Sequence, residues 1–283
     1  MLEKRDEVRI TGTVEDPRDK RATVTLIDYT GKGFFDPWYP AVLMIWTKRT
    51  RTEISPGGLE EIKGWPEAKL EEELRYMAAT VPSSWEFCDF TFLVQNVTRA
   101  FTHQFVRTRT LSFAQQAMQV LRMDQGAGWD YHVGTTIRRQ PDVVEYYRNV
   151  MAGLADAYAS LVNTPGVHTE DARGVLPTNI LTNIIAKGNL RVWCDLLRKR
   201  ASPRNQGARP GEEGEWASVH RQIREQMLSA LPWTELFLNR TADNVARDLY
   251  AMLERVEDKS LRVDLTKKID QLMTNIGEEH GEG

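Results

Sequence analysis

Apolar and polar positions alternate from Ala22 to Tyr29, which puts Val24, Leu26 and Asp28 on one face of an extended segment and predicts a strand. A second alternation, FCDFTFLVQ over Phe87 to Gln95, predicts another strand, rich in the aromatic residues that suit a pleated surface. Between them Ser55-Pro56-Gly57-Gly58 reads as a turn. Leu59 to Ala79 then reads as a helix solvated on one side, with Pro66 interrupting its start. Past the second strand the period lengthens. It predicts helices from about Thr98 to Met123, from Val143 to Val162, and after Pro177, where Ile180, Ile184, Ile185, Val192, Leu196 and Leu197 recur. Pro203 bars continuation of the last, and Asn205 to Gly214 is a Gly/Pro-rich loop. Helical spacing resumes over Trp216 to Leu231 and Ala242 to Val256, and Gly277 to Gly283 is expected to be a loose tail. The succession of strands and helices places the chain in the α/β class.

The length of 283 residues suits one large domain or two small ones, and 41% hydrophobic residues is enough to bury a core. With 37 basic and 40 acidic residues and a formal charge of -3, the chain lacks the basic excess of a general nucleic-acid coat, so any anion site must be local. Met1 is followed by charged Glu3, Lys4, Arg5, Asp6 and Glu7, and no segment approaches the length needed to span a bilayer. The expectation is a soluble, cytoplasmic protein. Its two cysteines, Cys88 and Cys194, have no paired spacing, and His103, His132, His168, His220 and His280 have no metal-ligand spacing. No metal is expected, and isolated cysteines of this kind are ordinarily small buried apolar residues.

Two constellations carry candidate chemistry. Arg107-Thr108-Arg109 falls in a helical pattern, preceded by His103 and Gln104 and followed by Gln115, Gln116 and Gln119, a surface suited to phosphate and a base edge or, equally, a solvated helix face. The second comprises Arg173 before Val175-Leu176-Pro177, then Asn189, Arg191, Asp195, Arg198 and Arg200. Asn189 and Arg200 can share one helix face about 16 Å long, and an Asn inside an apolar helix asks for a reason.

At these residues the chain resembles the flavin-dependent thymidylate synthases. That family carries an Arg-His-Arg motif followed by Ser, commonly after a segment like S-R-x-x-x-H-Q. This chain has TRAFTHQFVRTRTLSFAQQA from Thr98 to Ala117 in register, then Ala172 to Pro177, Asn189 to Arg191 and Leu197 to Arg200 in matching order. The resemblance covers roughly Ser83 to Arg224 and treats residues 1–283 as a single domain with a helical C-terminal part over 216–276. It implies an α+β fold, with a mixed or antiparallel sheet flanked by helices, and a homotetramer with sites between subunits.

The resemblance also implies site residues. Gln104, Arg107, Gln115, Ala117, Met118, Gln119, Arg173 and Arg200 fall where the family holds its pyrimidine nucleotide monophosphate. Ser83, Glu86, Arg107, Thr108, Arg109, Thr110, Asn189 and Asp195 fall where it holds FAD. Arg200 and Arg107 are the catalytic candidates, stabilising charge on the pyrimidine as its carbon 5 attacks the methylene carbon. Methylene-tetrahydrofolate and NADPH are the implied co-substrates, so no side-chain nucleophile is demanded.

Departures cluster. Thr108 replaces the motif His, Ala117 the motif Ser, and Gln119 and Val120 an Arg-Tyr pair, while Val81 and Phe87 stand where His is common and Asp195 where Asn is usual. These changes beside the expected sugar and phosphate point to reductive C5-methylation of UMP or dUMP with altered nucleotide selectivity. Two rivals remain: methylation or hydroxymethylation of dCMP or dUMP, and a non-catalytic nucleotide- or nucleic-acid-binding relic using Arg191, Arg198, Lys199, Arg200, Arg204 and Arg209.

Overall fold

The computed structural model describes residues 20–51, 55–118, 129–200, 214–238, 253 and 256–279. In chain order its main elements begin with β1 (Thr23–Tyr29), α1 (Tyr39–Lys48), α2 (Pro56–Lys63), α3 (Glu67–Thr80), β2 (Asp89–Thr98) and α4 (Arg99–Phe105). There follow β3 (Ser112–Gln115), α5 (Pro141–Val162), β4 (Leu181–Asn189), α6 (Leu190–Arg200), α7 (Glu215–Ala230) and α8 (Lys259–Glu279). The chain divides into two compact units, residues 1–30 with 89–226 and residues 31–88 with 227–283.

The first unit is built on a four-stranded sheet in the order β1-β2-β4-β3, antiparallel at every pairing. Its core follows from alternation. Phe90, Phe92 and Val94 of β2 and Thr182, Ile184 and Ala186 of β4 are buried on one face, whereas Ile185 and Lys187, alternating with them, are exposed. Trp193 of α6 is fully buried edge-on against Phe92 at 4.9 Å, and its indole N–H donates to the carbonyls of Gly188 and Phe90. A bulge in β2 places Asn96 at φ 56, and its N–H finds a partner in the Asn183 side chain. The outer edge of β1 is closed by Gln222 of α7, whose amide accepts from Val24 N and donates to the Ala22 carbonyl.

The second unit packs α1 with α2 and α3, and buries Met44, Ile45, Ile62, Leu74 and Met77 completely. Trp85 meets Phe237 edge-on at 4.9 Å, and Trp233 donates to the Pro37 carbonyl.

Five sequence expectations need correction. The single helix over 59–79 is two, and the expected turn at Ser55–Gly58 is the start of the first: Ser55 caps α2, which runs from Pro56 and stops at Gly64, and Pro66, with φ -66 and ψ 149, starts α3 from an extended backbone. The helix expected from Thr98 to Met123 ends at Phe105. Tight turns through Leu111 then lead into β3, whose backbone groups complete the edge of β4, while Phe113 packs edge-on against Phe105 at 5.0 Å. The helix expected after Pro177 is strand β4 up to Asn189, since its apolar run is flanked by β2 and β3 and helix α6 starts only at Leu190. Apolar runs of that length fit a buried strand as well as a helix, and only the neighbours decide. The tail expected from Gly277 is helical to Glu279 as the end of α8. Most of the helix expected over 242–256 lies outside the described residues.

Candidate functional site

The Arg-Thr-Arg segment occupies the turn between α4 and β3 rather than a helix face. The Arg107 N–H bonds the Gln104 carbonyl, Thr108 N–H the Phe105 carbonyl and Leu111 N–H the Thr108 carbonyl, so the chain coils tightly before entering the sheet. Arg107, Arg109 and Thr110 are exposed and Thr108 is half-buried. Among the described residues, the guanidinium groups of Arg107 and Arg109 have no hydrogen-bonding or ion-pair partner.

Strand register brings this turn to Asn189. Ser112 pairs with Lys187, and the buried Leu111 lies where a side chain on Gly188 would stand, so the turn rests on the end of β4. Asn189 closes that end and caps α6, its Oδ1 accepting from Val192 N at 3.1 Å. This is the reason for an Asn there. The cap uses only the oxygen, and the side-chain N–H groups remain as donors.

A second cluster forms at the opposite end of β3, about 10 Å away at 3.4 Å per residue. Gln115 pairs with Ile184, its Nε2 donates to Thr102 Oγ1 at 2.9 Å, and Gln116 N–H donates to the Asn183 carbonyl. Arg99 Nη2 donates to the Gln116 carbonyl at 2.6 Å, while its Nε is buried with no partner among the described residues. Burial lowers the pKa of Arg99, and the positive charge of Arg173 lowers it further. The Arg99 guanidinium, held on the Gln116 carbonyl next to an exposed Ala117 and within the field of Arg173, has charge suited to an anion. Arg173 also reaches the Glu170 carboxylate at 3.4 Å, but that pair is largely exposed and weak. Spacing alone does not mark Arg99 as a site residue; its signal in the sequence is its place in the segment TRAFTHQ from Thr98.

Helix α7 ties the second cluster down. The Glu215 carboxylate accepts from Thr98 N at 2.6 Å and Thr98 Oγ1 at 2.8 Å, and Thr98 in turn caps α4 by accepting from Phe101 N. Burial raises the Glu215 pKa, opposed by those two hydrogen bonds and by the charge of His132. Next to it, the Trp216 indole N–H donates to Gln104 Oε1 at 3.2 Å.

The remaining expected residues are dispersed. Ser83 and Glu86 are exposed on the tight turn Pro82–Phe87 of the second unit. Asp195 is engaged by Arg198 on α6. Met118 packs against the cluster of Trp129, Tyr131, Val133, Met151 and Ile180, which makes it a packing residue whatever else it does. Gln119 and the side chain of Arg200 lie outside the described residues. Both cysteines are fully buried, and burial pushes the Cys194 thiol up to about 12. Among the described residues no His, Cys, Asp or Glu group is placed to hold a metal ion, and no helix is long and apolar enough to cross a membrane.

Residues 26–233 match the model of the family described as thymidylate synthase complementing protein. The flavin-dependent thymidylate synthase of Pyrococcus furiosus is 31% identical over 170 residues, covering 59% of this chain and 66% of that protein, just under two thirds of its length. The flavin-dependent thymidylate synthase of Geobacter sulfurreducens is 34% identical over 121 residues, covering 43% of this chain and 51% of the other. Among solved structures, that of a UMP/dUMP methylase, PolB from Streptomyces cacaoi, bound with 5-Br dUMP, superposes with a TM-score of 0.60 at 20% identity. It covers 77% of this chain and 95% of that one, and at this identity it speaks for a shared fold.

Proposed function

Because the chain belongs to the thymidylate synthase complementing protein family, that of the flavin-dependent thymidylate synthases, we propose that it methylates carbon 5 of a uridine nucleotide, UMP or dUMP, reductively. Methylene-tetrahydrofolate is the proposed carbon donor and NADPH the proposed reductant. Residues 1–283 act as one domain in this reading, assembled as a homotetramer with sites between subunits.

The donor set suits FAD. Arg107 and Arg109 offer guanidinium groups without a partner among the described residues, Asn189 offers side-chain N–H donors left over from its cap, and Thr108 and Thr110 offer hydroxyls. Ser83 and Glu86 are further proposed contacts, as is Asp195 once its Arg198 partner is accounted for. When bound, FAD supplies hydride chemistry that no side chain here can perform.

The observation that carries the nucleotide reading is Arg99, whose Nη2 donates to the Gln116 carbonyl between Gln115 and Ala117 while the charge of Arg173 reaches it. The family position at Gln119 lacks its arginine, which leaves Arg99 and Arg173 as the proposed charges for the phosphate. Gln104 and Gln115 orient the base and sugar, and Arg107 and Arg200 stabilise charge on the pyrimidine oxygens as carbon 5 becomes nucleophilic. Ala117 leaves room where a serine would stand, which supports acceptance of a ribose 2′-hydroxyl.

The test is turnover of UMP, dUMP and dCMP with FAD, methylene-tetrahydrofolate and NADPH supplied. UMP is expected to react with a catalytic efficiency comparable to or above that of dUMP. A hundredfold preference for dUMP refutes the selectivity, and methylation of neither refutes the activity.

A further inference from the structure

We infer that Trp216 is a positioning residue that fixes which way the Gln104 amide faces, making Gln104 an obligate hydrogen-bond donor to an acceptor oxygen of the nucleotide. The inference rests on the reading of Gln104 as a nucleotide-site residue.

An indole N–H donates and never accepts. The Gln104 atom 3.2 Å from Trp216 Nε1 is therefore the amide oxygen, whichever way an amide is first assigned. Turning the amide over would set two donors face to face. The oxygen is thus spoken for, and the Nε2 N–H groups, on an exposed side chain with no partner among the described residues, face outward.

Trp216 can act as such a reference point because it is packed on several sides. It is 8% exposed, its ring lies 4.2 Å from that of Phe101 and edge-on to Phe105 at 5.8 Å, and the preceding Glu215 is anchored on Thr98. Phe101, Phe105 and Gln104 all belong to α4, so the tryptophan is registered against the helix that carries the residue it orients.

A donor-only Gln104 suits two oxygens of a uridine nucleotide, a carbonyl of the base or a phosphate oxygen. It does not suit the exocyclic amine of cytosine, which is itself a donor. A site built this way discriminates by leaving the wrong partner's polar group unmatched.

The experiment is calorimetric titration of the full-length, FAD-loaded protein with UMP, uridine and CMP. Trp216→Phe keeps the ring and removes the N–H. It is expected to weaken UMP about tenfold, the loss of roughly one net hydrogen bond. If uridine weakens equally and CMP gains relative to UMP, the acceptor is the base carbonyl; if uridine is unaffected, it is the phosphate. Gln104→Glu, which still accepts from Trp216 but presents an oxygen outward, is expected to weaken UMP at least as much as Gln104→Ala, and it provides the answer if Trp216→Phe does not fold. The inference is overturned if Gln104→Ala weakens UMP while Trp216→Phe or Gln104→Glu binds it like the unmodified protein. If Gln104→Ala itself leaves UMP binding unchanged, the placement of the nucleotide site is wrong instead.

Discussion

Gly188→Ala probes how the arginine turn is held. A Cβ built on Gly188 would stand 2.2 Å from Leu111 Cδ2, with Leu111 Cγ at 3.6 Å and Trp193 Nε1 at 3.7 Å. Carbon atoms rest at about 3.5–4.0 Å, so the methyl of Leu111 must retreat by roughly 1.5 Å. It has little room, because Leu111 is 6% exposed and Trp193 is fully buried behind the strand. Overpacking of this sort costs about 1–3 kcal/mol, against which the usual gain from replacing a strand glycine is less than about 1 kcal/mol. The displaced residue closes the turn that carries Arg107, Thr108, Arg109 and Thr110, and Asn189 is the next residue after the substitution. Flavin affinity should therefore fall together with the folding stability. Quenching of FAD fluorescence on titration with protein, read beside a thermal melt, separates the two: a dissociation constant raised about tenfold or more with a melting temperature lowered by a few degrees is expected. A variant that melts at or above the parent temperature and binds FAD equally well would refute the claim that the Leu111–Gly188 contact sets the turn.

Arg107→Ala should weaken both FAD and UMP by roughly ten- to a hundredfold in direct titrations, as each loses a charge-assisted hydrogen bond; two unchanged constants would mean the site lies elsewhere. Glu215→Gln mimics the protonated carboxyl, since its amide can accept from Thr98 N and donate to Thr98 Oγ1. Burial raises the folded pKa of Glu215, so its proton stabilises the fold at low pH and that stabilisation is lost as pH rises through the raised value. The melting temperature of Glu215→Gln minus that of the parent should thus grow from acidic to neutral pH, and a constant or shrinking difference would contradict it. Cys194, with its thiol pushed up to about 12, should resist iodoacetamide at pH 8 in the native protein and react on unfolding, as mass spectrometry of the alkylated peptide would show.

Much of the scaffold was legible in the order of residues. Alternation identified β1 and β2, long periodic segments identified α5 and α7, and the run from Thr98 to Ala117 with the segments around Arg173 and Asn189 marked the family. These are local signals, carried by a period or by residue type at fixed spacing, and they survive without knowledge of the neighbours. What tertiary structure decided was the fate of ambiguous stretches. Leu181 to Asn189 and Ser112 to Gln115 are strands because each supplies the other's missing backbone partners, a relation between segments far apart in the chain. That pairing moves Arg107 and Arg109 from a helix face to a turn, sets Asn189 beside them as a cap, and brings Arg99 to Arg173 and Gln116. Nor could spacing reveal that Trp216 meets Gln104 across the fold, since the hydrogen bond joins residues 112 apart in sequence. Local chemistry named most of the groups, but the directions in which they present donors and charge came from long-range pairing, which single-chain periodicity does not encode.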